Sequence, residues 1–306
     1  MKRNSCLVIG YGSIGKRHYR ILSELGQKVS VVSKRKIEVP DAYSNIELAI
    51  SSEKPNYIVV ANETIEHEKV LRTIEESGFT GKILVEKPLF FESPQSTFNF
   101  SSLYVGYNLR FHPIIQFLHK KLRNKKIVSI QAYVGQYLPL WRPGADYTKS
   151  YSAYSAKGGG VLRDLSHELD FLQFLFGEWE DMVVRGGKWS DLKIDSEDHI
   201  SLIYSTKMVP LVNLQMNYLD HINQRFIIVN TNSETYKADF MNKTVQINDE
   251  IVFLESDRDY TYREQHIAIL NGDKTHLCSY EEGMQIMNMI YMAEQSIKKK
   301  EWVFNE

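Results

Sequence analysis

Three stretches of the sequence carry residue types that do chemistry at workable spacing. GGGVLRDLSHELD, residues 158–170, places Asp164 and His167 three positions apart after three glycines. VEKPL, residues 85–89, places Lys87 before a proline, and LVIGYGSIG sets Gly10, Gly12 and Gly15 in GxGxxG spacing. A histidine with a neighbouring carboxylate is a suitable acid and base near neutral pH. A lysine brings a compact positive charge that can polarise an oxygen. A glycine loop of this spacing supplies a tight turn, close backbone approach to a pyrophosphate and close helix–strand packing.

Each stretch also has a plainer reading. Val161, Leu162, Leu165, Leu169, Leu172 and Phe176 form one helical stripe that stops at Gly177. On such a helix Asp164 and His167 occupy neighbouring rows off the stripe, with Asp164 in the first turn, where the helix dipole favours a carboxylate. That is also the pattern of a capped amphipathic helix with two surface polar residues. The glycines tilt the reading, because each costs roughly 1 kcal/mol against alanine in a helix interior. They let backbone come close to something bulky at the helix start.

The glycine loop follows a strand and opens a helix, so Ser13 and Ile14 sit where phosphate charge would meet a helix N-terminus. The alternative is a glycine-rich turn with no ligand. Dinucleotide sites for NAD usually place Asp or Glu about 20 residues past the glycines, on the ribose hydroxyl. Here the second strand ends VVSKRK, which puts Ser33, Lys34 and Arg35 there and no carboxylate. A hydroxyl and two cations suit a 2′-phosphate, so NADP(H) is expected in preference to NAD(H). Solvated basic residues are the other reading.

The elements that must position these groups change character along the chain. Apolar runs at 5–10, 28–33, 56–61, 82–87 and 102–107 alternate with amphipathic stretches at 16–25 and 66–78. That pattern predicts a parallel sheet with both faces covered. Lys87 and Asn62 then fall just past strand ends, where ligands of open α/β sheets bind. Beyond residue 125, runs 197–205 and 209–219 alternate strictly: Val212, Leu214, Met216 and Tyr218 point one way, Asn213, Gln215 and Asn217 the other. This predicts an antiparallel sheet with one apolar face. RFIIVNT, ETYKADF and EIVFLE add strands, and two helices, about 259–271 and 280–299, close the chain. The expected fold is α/β, an N-terminal Rossmann dinucleotide-binding domain (1–115) followed by an α+β domain with a largely antiparallel open sheet (116–306).

Composition sets outer limits. The chain has 306 residues, 43% hydrophobic and 25% charged, with formal net charge -1. A near-neutral balance offers no electrostatic footprint for nucleic acid. Two cysteines, Cys6 and Cys278, make no disulfide framework, and no apolar run approaches the ~20 residues of a membrane span. A soluble cytoplasmic protein without nucleic-acid or membrane partners and without a metal is expected.

In order and spacing, GYGSIG, ANETIEH, VEKPL, YNLRFHP and GGGVLRDLSHELD resemble the glucose–fructose oxidoreductase/inositol dehydrogenase/rhizopine catabolism family over nearly the whole chain. The resemblance implies hydride transfer between a nicotinamide cofactor and a hydroxyl-bearing carbon of a sugar or cyclitol. Lys87 resembles the lysine of the family's EKP motif, which contacts nicotinamide and substrate. Asp164 and His167 resemble its second-domain carboxylate and histidine, commonly spaced four apart rather than three. His167 would exchange the hydroxyl proton while Lys87 polarises the same oxygen. Asn62, His67 and Glu86 join the expected cofactor contacts, and Asn108 and Arg110 resemble residues lining the substrate cleft. DLSHELD with YNLRFHP looks most like members associated with bacterial surface-sugar and nonulosonate pathways.

The long aromatic segment 138–157 reads as a binding loop, with Trp141, Arg142 and Tyr151 as substrate candidates beside Arg163. These cations suit a sugar acid or a nucleotide sugar. The expected function is therefore a sugar oxidoreductase with a small sugar-like substrate, assembled as a dimer or tetramer through the second-domain sheet. Two other readings stay open: a cofactor-retaining glycosidase-type enzyme and a non-catalytic dinucleotide sensor. The presence of Lys87 and His167 argues against the sensor.

Overall fold

A computed structural model describes residues 4–92 and 97–305. The chain divides into two units, residues 1–111 with 258–287, and 112–257 with 288–306. The expected single cut after residue 115 thus meets a chain that returns to its first unit. The reason is packing: Ala268, Ile269 and Leu277 are buried in one apolar cluster with Cys6, Val8, Leu22, Tyr57, Val59 and Leu84.

The first unit holds β1 (Ser5–Ile9), β2 (Lys28–Val32), β3 (Ala42–Tyr43), β4 (Tyr57–Val60), β5 (Lys82–Val85) and β6 (Leu103–Val105). They pair in parallel in the order β3-β2-β1-β4-β5-β6, and the short strand Cys278–Ser279 runs antiparallel beside β6. This is a doubly wound order, whose reversal beside β1 makes a ligand crevice at the strands' carboxyl ends. All four residues of β4 are buried, as expected for a strand covered on both faces. The helices are α1 (Ser13–Glu24), α2 (Ile46–Glu53) and α3 (His67–Glu76). Helix α1 begins at Ser13 and not at Lys16, because its first turn is built from the glycine loop itself.

The second unit contains α4 (Pro113–Leu122), β7 (Ile127–Gly135), α5 (Val161–Asp164), α6 (His167–Phe176), β8 (Trp179–Gly187), β9 (His199–Thr206), β10 (Val209–Asn217), β11 (Gln224–Thr231), β12 (Thr235–Asp239), β13 (Thr244–Ile247) and β14 (Glu250–Phe253). Its sheet runs β14-β13-β12-β11-β7-β10-β9-β8, with Val303–Phe304 added beside β8. Every pairing is antiparallel except β7 with β10. Val212, Leu214, Met216 and Tyr218 are buried and Asn213 is exposed, as the alternation predicts, but Asn217 is buried too. It donates to the Tyr133 hydroxyl and accepts from the amides of Leu219 and Asp220, closing the strand end.

The expected single helix over 161–176 is two. Leu165 (φ −100°, ψ 22°) ends α5, and α6 starts at His167. The stripe Val161, Leu162, Leu165, Leu169, Leu172 and Phe176 is nevertheless buried throughout. Apolar periodicity therefore survived a break that it could not reveal. Among the described residues, no helix is long and apolar enough to cross a membrane.

Candidate active site

In the first unit the glycine loop has the geometry a dinucleotide requires. Gly10 sits at φ +97°, and a Cβ there would lie 2.6 Å from Ala61 O and Asn62 N. A Cβ on Gly15 would lie 2.0 Å from Gly10 O, so the helix can pack on the turn only through glycine. A Cβ on Gly12 would meet nothing within 4 Å: the backbone there faces open space. Helix α1 has no acidic residue in its first turn to compete with a phosphate for the amides around Ser13 and Ile14. The Asn62 Oδ1 atom is buried without a hydrogen-bond partner. A turn, an open approach, a close packing point and an unsatisfied acceptor together fit a dinucleotide.

Ser33, Lys34 and Arg35 follow β2. Ser33 Oγ accepts from the Arg35 amide at 3.1 Å, and both cations are exposed. Lys34 Nζ lies 3.4 Å from Glu66 Oε2 with 87% of its side chain exposed, an ion pair of little strength. Both cations therefore remain available to an anion.

Past β5, the Lys87–Pro88 bond is cis and Lys87 is half-buried. Glu86 accepts from the Lys87 amide at 3.4 Å and bonds His18 Nε2 at 2.9 Å. His67, expected to contact cofactor, packs inside the first unit. It is 0% exposed, its Nδ1 lies 3.0 Å from Leu89 O, and burial holds it below the usual histidine range. It ties α3 to the segment after Pro88.

Asn108 and Arg110, expected near the substrate, lie buried with partners inside the first unit. They are 3% and 1% exposed. Asn108 donates to Thr261 Oγ1 at 2.7 Å, while Arg110 pairs with Glu282 at 2.9 Å and donates to Leu277 O at 3.3 Å. Both fasten the returning C-terminal segment to the first unit. These partners lie more than 150 positions away, so no local sequence pattern points to them.

In the second unit Asp164 is buried, and the Tyr218 hydroxyl donates to its Oδ2 at 2.7 Å. The Asp164 charge raises the Tyr151 phenol well above its usual range. Asp164 is thus a carboxylate bracketed by two phenols, and His167, half-buried, opens α6. Trp141 packs edge-on to Tyr218 at 5.1 Å, and Arg142 lies over the Tyr151 ring at 5.9 Å. The loop expected to be irregular is a run of short 3-10 turns around a depression of about 310 Å³, lined by Trp141, Arg142, Tyr147 and Ser152 among others. Arg163 does not join this group, because its guanidinium pairs with Glu294.

The glycines before α5 also admit something bulky, but it is the protein itself. A Cβ on Gly159 would lie 2.4 Å from Tyr151 O, and one on Gly160 2.2 Å from Glu197 Oε1. Glu197 then caps α5, with Oε1 accepting from the Leu162 amide at 3.1 Å and its carbonyl from Val161. Burial pushes its carboxyl up to about 7. Sequence reasoning missed Glu197 and Tyr218, and only the alternation that buries Tyr218 was a signal.

A doubly wound sheet carrying this loop, joined to a mostly antiparallel sheet, defines a nicotinamide-dependent oxidoreductase architecture. Residues 4–111 match the profile described as Oxidoreductase family, NAD-binding Rossmann fold, and residues 115–234 match the GFO/IDH/MocA C-terminal domain. The chain belongs to the GFO/IDH/MocA oxidoreductase family. Among curated proteins none matches. Solved structures share the fold. Levoglucosan dehydrogenase in complex with NADH is 15% identical over 99% of each chain, with a TM-score of 0.84. UDP-N-acetylglucosamine 3-dehydrogenase GnnA from Acidithiobacillus ferrooxidans is 18% identical over 98% of this chain and 99% of its own, TM-score 0.78. GenD2 from gentamicin A biosynthesis, in complex with NAD, is 17% identical over 100% and 97%, TM-score 0.78.

Proposed function

We propose that the protein is an NADP(H)-preferring dehydrogenase or reductase acting on a hydroxyl-bearing carbon of a sugar, sugar acid or nucleotide sugar. The observation that carries this reading is the glycine loop, with open space at Gly12 and backbone contact at Gly10 and Gly15. Gly12, Ser13, Ile14 and Asn62 would hold the dinucleotide, with Ser33, Lys34 and Arg35 on the 2′-phosphate. The bound nicotinamide supplies the hydride acceptor or donor.

This chain's own residues manage the proton. His167 takes the substrate hydroxyl proton in the oxidative direction and returns it in the reductive one. Lys87 stabilises the oxygen as it gains negative charge. Asp164 is already an acceptor for Tyr218. It therefore orients the site and leaves proton transfer to His167. Trp141, Arg142 and Tyr151 offer aromatic and cationic contacts to an anionic sugar. The exposed row Ile203–Asn213–Gln131 on neighbouring strands fits a self-association face, which sedimentation velocity would show as a dimer or tetramer.

Titration of the protein with NADPH and NADH, read by tryptophan quenching and energy transfer, tests the cofactor reading. NADPH is expected to bind at least tenfold more tightly, and Lys34→Ala with Arg35→Ala to erase the difference. Equal or tighter NADH binding would remove the 2′-phosphate assignment. No binding of either by folded protein would remove the oxidoreductase reading.

A further inference from the structure

Next to Glu86 the first unit contains a line of buried polar side chains with no role so far. Glu86 Oε1 lies 2.9 Å from His18 Nε2, His18 Nδ1 lies 2.9 Å from His266 Nε2, and His266 Nδ1 lies 2.9 Å from the Tyr57 hydroxyl. His18 and His266 are 0% exposed and Tyr57 is 1%. Such a chain is costly unless every member is satisfied. Its hydrogen bonds can be directed by elimination.

Burial, with His18 second, drives His266 well below the ordinary histidine range, so its ring is neutral with one donor and one acceptor. Burial likewise keeps the Tyr57 phenol protonated. With Glu86 as a carboxylate, which only accepts, two patterns remain. In the first, Tyr57 donates to His266 Nδ1, His266 Nε2–H donates to His18 Nδ1, and neutral His18 carries its proton on Nε2. In the second, His18 is an imidazolium whose Nδ1–H donates to His266 Nε2, and His266 Nδ1–H donates to Tyr57. In both, His18 Nε2–H donates to Glu86 Oε1. The carboxylate's other oxygen accepts from the Lys87 amide.

The surroundings hold this arrangement in place. A Cβ on Gly106 would lie 3.0 Å from Glu86 Oε1, so the carboxylate lies against that strand end. Tyr262 meets His18 edge-on at 5.6 Å, Arg17 lies over Tyr262, and Asp259 lies 3.4 Å from Arg17. Cys6 flanks Tyr57, and His67 feels the Glu86 charge.

We infer that His18 is a positioning residue for Lys87, acting through Glu86, with His266 and Tyr57 fixing which His18 nitrogen faces the carboxylate. His18 holds the side chain of Glu86, and that side chain holds the peptide from which Lys87 departs. The catalytic meaning of this arrangement rests on the role proposed for Lys87. The arrangement itself does not.

The test follows the Lys87 side chain by proton–carbon NMR of lysine-labelled full-length protein, with its signal assigned by loss in Lys87→Arg. In His18→Leu the Lys87 signal should move and its titration midpoint should shift, while His18→Gln, which keeps a donor, should restore most of both. A folded His18→Leu with an unmoved Lys87 signal and midpoint would overturn the inference. One measurement needs no folded variant. In nitrogen-labelled wild type, the His18 Nε2–H should appear as a slowly exchanging proton close to the Lys87 amide, and its absence would also overturn the inference. Adding NADPH separates the two readings, because an unmoved wild-type Lys87 signal would remove the cofactor role of Lys87 while leaving the His18 result standing.

Discussion

Each unit has a glycine-rich helix start, and the glycines do different work in the two. At the start of α1, Gly10 and Gly15 face backbone and Gly12 faces open space. Before α5, Gly159 faces the backbone of Tyr151 and Ser152, and Gly160 faces the Glu197 carboxylate. The first loop is shaped around a space for a ligand, whereas the second is filled by the chain's own atoms. One is built from backbone; the other exists to bring side chains together. The same residue type thus signals a binding loop in one place and internal packing in the other.

The sharpest way to break this contrast is to add a methyl group at each position. Gly10→Ala should destabilise the protein by about 2–4 kcal/mol, because positive φ is combined there with backbone contacts, and Gly160→Ala by about 1–3 kcal/mol, from its φ and the displaced Glu197 carboxylate. Gly12→Ala should change stability by no more than about 0.5 kcal/mol. It should still weaken dinucleotide binding, since the methyl enters the open space. Urea denaturation beside cofactor titration reads both quantities. A Gly12→Ala protein that loses stability but binds normally would erase the distinction.

Glu197 sharpens the contrast through pH. Its carboxyl is pushed up to about 7, chiefly by burial, from an ordinary 4.5. Between those values the folded state binds the proton more tightly than the unfolded chain does. The stability this contributes is therefore full below pH 4.5, falls as pH rises through 7 and is absent above. The whole shift would amount to about 3 kcal/mol, and partial exposure reduces this to roughly 1–2 kcal/mol. Glu197→Gln should accordingly gain stability on wild type between pH 5 and pH 8. A constant difference across that range, measured by thermal melts, would show that burial does not govern this group. The dinucleotide loop, built from uncharged backbone, should show no counterpart.

Legibility in the sequence divides along the same line. The glycine loop, the parallel strands and the alternation of β10 were readable because each depends on near neighbours and on period. Lys87 could be placed at a strand end for the same reason. The packing of Asn108, Arg110 and His67 was not legible, because polar side chains look alike until their partners are known. Those partners are Thr261, Glu282 and the carbonyl of Leu89, and sequence spacing points to none of them. The break at Leu165 was hidden because α5 and α6 keep one buried stripe. His18 pairs with a residue 248 positions away, so no local pattern records it.

The smallest expected effect tests the side-chain character of the cluster around Asp164 directly. Tyr218 donates to Asp164 at 2.7 Å inside the fold, a charge-assisted bond with little competing water. Tyr218→Phe should cost about 1.5 kcal/mol. The Tyr151 phenol remains beside the carboxylate and limits the loss. A double-mutant cycle of Tyr218→Phe with Asp164→Asn isolates the bond, and a coupling of about 1 kcal/mol is expected. If the bond also orients the carboxylate for the proposed chemistry, Tyr218→Phe should lower kcat more than it changes KM. Zero coupling would mean that Asp164 is placed by its own helix alone, and its surroundings would then be backbone-built like the dinucleotide loop.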